Sequence, residues 1–148
     1  MKTIHKSVLL SHSAHEMFAL VTNIEHYPRF LPWCDHGEVL ELNDDGMLAR
    51  VGMAISGLRQ SFTTRNIHET DRKVLMELVD GPFSQLDGVW VFTPLGDGTL
   101  RACKVEFTLS YGFSSSTLAA LVGPVFDKIA GNLVDAFVKR ADQVYGTD

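Results

Sequence analysis

Thiols are scarce in this chain: Cys34 and Cys103 are the only two in 148 residues. That number is too small for a disulfide framework, and the two lack the paired spacing of a structural zinc site. Positive charge is scarce as well, with 13 lysines and arginines against 18 aspartates and glutamates and a net charge of -5. No global basic field exists to hold a polyanion, so DNA is not expected as a partner and any RNA contact needs a local patch. Long hydrophobic runs are missing too. Met1 to Lys6 has no apolar stretch of a signal sequence, and no later segment approaches the length of a membrane span, so a cytoplasmic location is expected. Neither a Gly-x-Gly-x-x-Gly or phosphate-binding loop nor a Gly-x-Ser-x-Gly elbow occurs, which removes nucleotide binding and serine hydrolysis as first readings.

What is present is an ordinary globular composition, 45% hydrophobic and 21% charged, long enough for one domain spanning 1–148 with a real core. Thr3 to Leu10 alternates imperfectly and predicts a first strand. Ser13-Ala14-His15-Glu16 has the form of a capping box, and Met17, Leu20, Val21 and Ile24 behind it recur at helical steps, which predicts a short amphipathic helix. Pro28 and Pro32 then bracket a stiff aromatic segment, Tyr27 to Cys34, that cannot be a long regular helix. From Gly37 on, short β-rich runs are punctuated by turns at Asn43-Asp44-Asp45-Gly46, Ser56-Gly57, Glu69-Thr70-Asp71, Asp80-Gly81-Pro82 and Gly96-Asp97-Gly98. Consecutive strands joined by tight turns make an antiparallel meander. The last third predicts a long helix with Leu118, Val122, Val125, Ile129, Leu133 and Ala136 on its apolar face, and a kink or junction at Pro124. A sheet with one apolar face needs a cover, and this helix alone can supply it. The expected fold is therefore α+β: a curved antiparallel sheet of about seven strands wrapped around a long C-terminal helix, a helix-grip that encloses a cavity.

Strand alternation sends Cys103, Val105, Phe107 and Leu109 to one face and Glu106 to the other; it also separates Met76 from Glu77 and Trp90 from Asp87. The strand carboxylates thus face away from the core, and most other acids fall in turns, so a paired-carboxylate site is unsupported. The six histidines are scattered and read as exposed or cap-proximal, with no metal site. Cys34 reads as a structural thiol. No catalytic residue and no cofactor are expected. What remains is an apolar constellation of candidate ligand contacts: Phe30, Leu31 and Trp33 as a lip, Val51, Met53, Phe62, Met76, Trp90 and Phe107 from the sheet, and Val125, Phe126 and Ile129 from the helix. Arg65 is the one strand cation that could hold a polar head group if it faced inward.

Four segments carry a family resemblance: Tyr27-Pro28-Arg29-Phe30-Leu31-Pro32-Trp33-Cys34; Phe62-Thr63-Thr64-Arg65-Asn66; Leu78 to Phe83 with Trp90 to Leu95; and Phe126 through Tyr145. In that order they resemble the coenzyme Q-binding and ribosome-association toxin RatA group of START-like proteins. The resemblance implies a helix-grip fold with a tunnel for a hydrophobic ligand. For one branch it implies non-catalytic ubiquinone or isoprenoid-lipid binding in support of respiration, with transient membrane contact. For the other it implies association with the large ribosomal subunit and a block on subunit joining, in a toxin–antitoxin setting. An older superfamily label, polyketide cyclase or dehydrase, makes an enzyme a third alternative. The scarcity of basic residues and the supply of apolar ones favour the lipid reading; patches at Arg59, Arg65, Arg72 and Lys73, or at Lys139 and Arg140, leave the ribosomal one open.

Overall fold

The capping box at Ser13 forms as its residues predict. Glu16 N–H donates to Ser13 Oγ at 3.0 Å and Ser13 N–H donates to Glu16 Oε1 at 2.8 Å, so two amides that the helix leaves orphaned are satisfied reciprocally. In the computed structural model, which describes residues 1–97 and 99–146, this cap starts α1 (Ala14–Thr22), which follows β1 (Lys2–Leu10). A 3-10 helix (Ile24–Arg29) comes next, then β2 (Cys34–Asn43), β3 (Gly46–Ile55), β4 (Leu58–Glu69), β5 (Lys73–Asp80), β6 (Phe83–Pro94), β7 (Cys103–Phe113) and α2 (Ser116–Tyr145). The turn expected at Gly96-Asp97-Gly98 includes Gly98, which lies outside the described residues.

The seven strands form one antiparallel sheet in the order β1-β7-β6-β5-β4-β3-β2. Strands β2 to β7 are a meander, and β1 closes against the last of them. Register shifts in β2, between β4 and β5, and between β6 and β7 add local twist, which helps to curl so wide a sheet. The strand parity is as expected: on β7, Cys103, Val105, Phe107, Leu109 and Tyr111 are buried while Lys104, Glu106, Thr108 and Ser110 are only half-buried.

Helix α2 lies in the concave face, held at its start by Ser115, whose Oγ accepts from Leu118 N–H at 3.1 Å. Its buried residues are Val122, Gly123, Phe126, Ala130, Val134, Phe137 and Ala141. This corrects the expected face, which is rotated: Val125 is exposed, and Leu118, Ile129, Leu133 and Ala136 lie on the flank of the buried stripe. Helix geometry persists through Pro124, which sits early enough for the following turns to carry the packing. A second correction concerns hydropathy. Ser116–Tyr145 is long and apolar enough to cross a membrane by length and composition; its buried stripe against the sheet explains apolar content of this kind in a core helix.

The packing resolves into two clusters. The larger one joins α1, α2, the end of β3 and strands β5 to β7, around Trp90, Phe107 and Phe137. The smaller one, Ile24, Leu31, Cys34, Met47, Ala49 and Val51, joins the 3-10 helix to β2 and β3. Gly37 permits that approach: a Cβ there would lie 2.1 Å from the Ile24 carbonyl oxygen.

The far end of α2 is pinned by polar groups. Arg101 donates to both oxygens of Glu16, at 2.9 and 2.8 Å, and to the Tyr145 carbonyl at 3.0 Å, while the Tyr145 hydroxyl donates to the Glu16 carbonyl. The Arg101 bond is the chief reason the Glu16 carboxyl is drawn down to about 2. His12 is cap-proximal, next to Ser13, but it is buried and lies 2.8 Å from Asp142.

Candidate functional site

Between the two core clusters side chains fail to fill the space, and a cavity of about 90 Å³ remains. Every layer contributes to its wall: Ile24, Tyr27, Leu31 and Trp33 from the segment after α1; Val51, Phe62, Met76, Leu86, Trp90, Phe107 and Leu109 from the sheet; Phe126, Ile129, Ala130, Leu133 and Phe137 from α2. The aromatic groups are locked to each other. Trp90 and Phe107 have ring centroids 4.3 Å apart, and Phe137 meets Tyr27 and Trp90 edge-on at 5.5 and 5.2 Å. Such pairs add about 0.5–1.5 kcal/mol each beyond the area they bury, so the floor of the cavity is rigid.

Polar groups are few in this wall. The Tyr27 hydroxyl is committed to the Val21 carbonyl, and burial pushes its phenol above the usual range. Thr64 and Asn66, both buried, face inward from β4, and Thr64 Oγ1 donates to Asn66 Oδ1 at 2.7 Å. That is the one hydrogen bond of the Asn66 side chain among the described residues, which leaves its amide N–H groups as donors at the cavity wall. Among the described residues no carboxylate, imidazole, ammonium, guanidinium or thiol lines the space. The arrangement can enclose an apolar ring and offer a neutral donor to a carbonyl; it carries no group that could abstract or deliver a proton near neutrality.

The structure brings nine of the expected contacts together here: Leu31, Trp33, Val51, Phe62, Met76, Trp90, Phe107, Phe126 and Ile129. Four are placed elsewhere. Phe30 turns away to pack on Tyr27 and Phe137 from outside the cavity. Met53 faces inward but lies farther along β3, at a separate void with Ile55, Leu58 and Val122. Arg65 is exposed because alternation from Phe62 puts Thr64 and Asn66 inside and Arg65 outside. Val125 is exposed, one helical step off the buried stripe. Ten lining residues are not among the expected contacts: Thr64 and Asn66, which the same alternation points inward, and Ile24, Tyr27, Leu86, Gly88, Leu109, Ala130, Leu133 and Phe137.

Outside the cavity, a groove of about 240 Å³ runs between the Pro32 loop and the exposed flank of α2. Leu31, Trp33, Ile129 and Leu133 line both the groove and the cavity. These four side chains are therefore the partition between the interior and the surface.

The remaining titratable groups stand apart from this site. Burial pushes the Cys34 thiol up and the Cys103 thiol up to about 11, so both remain protonated thiols near neutrality. His68 is another departure from the expected exposure: it is half-buried, edge-on to Phe18 at 5.7 Å, with burial lowering its pKa. Among the described residues no group of three histidine, cysteine or acidic side chains is placed to hold a metal ion.

Comparison with known proteins places residues 10–138 within the family described as polyketide cyclase / dehydrase and lipid transport. The ribosome association toxin RatA of Vibrio cholerae is 43% identical over 146 residues, covering 99% of each chain. The mitochondrial coenzyme Q-binding protein COQ10 homolog B of Xenopus laevis is 27% identical over 142 residues, covering 95% of this chain and 58% of its own. Among solved structures, a START superfamily protein of Mycobacterium smegmatis superposes with a TM-score of 0.76 at 20% identity, over 96% of this chain and 98% of that one. The Zhui aromatase/cyclase of Streptomyces superposes at 0.79 with 14% identity, over 96% and 94%. At such identities these two likenesses establish the fold.

Proposed function

The chain belongs to the polyketide cyclase / dehydrase and lipid transport family, and from that premise we propose that it binds a hydrophobic, ring-bearing small molecule in the cavity without turning it over. The observation that carries this reading is the chemistry of the wall among the described residues: fifteen apolar side chains with Gly88, Tyr27 with its hydroxyl already committed, a neutral Thr64–Asn66 pair, and no carboxylate, imidazole or amine. Aromatase/cyclase activity belongs to a structural neighbour, and the lining here supplies no proton-transfer group for it. A quinone suits the site in kind, because its ring can stack in the Trp90, Phe107 and Phe137 floor while a carbonyl accepts from the Asn66 amide. Similarity to a coenzyme Q-binding protein supports ubiquinone or a related isoprenoid as the ligand, with the chain acting as its carrier or chaperone from a cytoplasmic location.

Size sets a condition on this reading. A dry cavity of about 150 Å³ accepts benzene, whereas the space between sheet and helix here is about 90 Å³. A quinone therefore enters only if the partition of Leu31, Trp33, Ile129 and Leu133 swings outward and joins the cavity to the groove, leaving an isoprenoid tail along the exposed flank of α2.

A second reading is favoured by one specific observation: relatives 40–43% identical over nearly the whole chain are named ribosome association toxins. In that reading the protein meets the large ribosomal subunit through exposed Arg59, Arg65 and Arg72. Native mass spectrometry of protein purified gently from its own host, with extraction of bound lipid, tests the first reading. A stoichiometric quinone is expected. An empty protein that co-sediments with large ribosomal subunits in a salt-sensitive way would replace it with the second.

A further inference from the structure

A second hollow, of about 230 Å³, opens between α1, the 3-10 helix and the last turns of α2. Asn23, His26, Phe30, Arg140 and Tyr145 contribute to its wall, and among the described residues no carboxylate does. Arg140 is half-buried there with its Cζ 5.3 Å over the Phe30 ring. Its Nε is buried without a hydrogen-bond partner, and among the described residues no ion pair involves it. A cation taken partly out of water is normally paired, and stacking on one ring leaves the buried Nε–H unsatisfied. Asn23 Nδ2 and His26 Nδ1 are 2.9 Å apart; with the amide donating, the ring proton sits on Nε2 and adds another donor.

We propose that this hollow is a binding site for a small oxyanion, a phosphate or carboxylate group, held by the Arg140 guanidinium with His26 and Asn23 as supporting donors. Phe30 fixes the plane of the guanidinium in advance, which reduces the ordering cost of a forked contact to an anion. The space exceeds what one such group fills, so the rest of a small ligand can extend toward Val144 and solvent. Phe30 also meets Phe137 edge-on at 5.2 Å, so the floor of the hollow backs directly on the wall of the cavity. The inference does not depend on what the cavity holds.

The test is titration of the full chain with inorganic phosphate and, in parallel, acetate, at constant ionic strength, followed by amide chemical shifts. Saturable shifts confined to residues 19–30 and 140–145 are expected, with the two anions reporting whether phosphate or carboxylate is preferred. Arg140→Gln should weaken the response about tenfold, the loss of one charge-assisted contact, and Arg140→Lys should recover part of it. His26→Ala leaves the guanidinium stacked and should weaken binding about threefold, which keeps the test informative if Arg140→Gln does not fold. Shifts that fail to saturate with either anion, or that are unchanged in a folded Arg140→Gln, would overturn the assignment.

Discussion

Replacing Thr64 and Asn66 together, by valine and leucine, should leave the protein as stable as before while weakening quinone binding. The two side chains are buried in an otherwise apolar wall and share one hydrogen bond of 2.7 Å. A neutral hydrogen bond of this kind contributes about 0.5–1.5 kcal/mol net, and a polar atom left buried without its partner costs about 1–3 kcal/mol. Thr64→Val strips the acceptor Asn66 Oδ1 of its donor, and Asn66→Leu strands the Thr64 hydroxyl. Each single change should therefore destabilise by about 1–3 kcal/mol. The double change removes both polar groups and the penalty with them, so it should lie within about 1 kcal/mol of the parent, well below the sum of the two single costs. Urea unfolding of the four proteins at fixed pH measures this directly, and a constant slope with denaturant would confirm that only stability changed. A short-chain quinone titrated by Trp90 and Trp33 fluorescence supplies the other half. Loss of the Asn66 donor should weaken its binding about tenfold, or about 1.4 kcal/mol. Additive destabilisation together with an unchanged quinone affinity would refute the assignment of this pair to ligand recognition.

Other perturbations separate the parts of the fold. Phe126→Ala removes a buried ring that meets Phe83, Tyr111 and Phe113 and should cost about 3–5 kcal/mol, read as a lower urea midpoint. Because the folded Glu16 carboxyl is held down to about 2 from an ordinary 4.5, its contact with Arg101 contributes stability above about pH 5 and loses it as pH falls toward 2. Glu16→Gln keeps a residue able to complete the capping box, so its stability should decline less over that interval, by about 1 kcal/mol once solvent screening at half-exposed Arg101 is allowed for; parallel declines in both proteins would exclude the ion pair as the cause. Reversing Arg59, Arg65 and Arg72 to glutamate should leave quinone binding intact and stability within about 0.5 kcal/mol per site, while abolishing any co-sedimentation with ribosomal subunits.

The sheet was legible because its strands are half-buried: on β7 every second residue from Cys103 to Tyr111 is apolar, and alternation needs no long-range information. The capping box was equally local. Helix α2 was harder, since Leu121, Val125, Ile129 and Leu133 make a second apolar row beside Val122, Phe126, Ala130, Val134 and Phe137. An arc that broad does not identify its own centre, and small Gly123, Ala130 and Ala141 mark close approach without registering as strongly hydrophobic. Arg65 is a candidate contact by its chemistry only if it faces inward, and the parity of its own strand puts it outside. Met53 had the right parity and the wrong depth, because where a strand passes under α2 depends on sheet curvature that no local pattern contains. The burial of His12 and His68 likewise depends on partners far away in sequence, Asp142 and Phe18.

The partition formed by Leu31, Trp33, Ile129 and Leu133 has a kinetic meaning. A site that must open before it binds has its apparent affinity and its association rate reduced by the fraction of time it stands open: about a hundredfold if the open form is populated at 1%. The same closure, once a molecule is inside, delays its departure. In the proposed carrier role such a site would exchange its cargo slowly with bulk water, and its traffic would be governed by whatever surface holds the Pro32 loop away from α2.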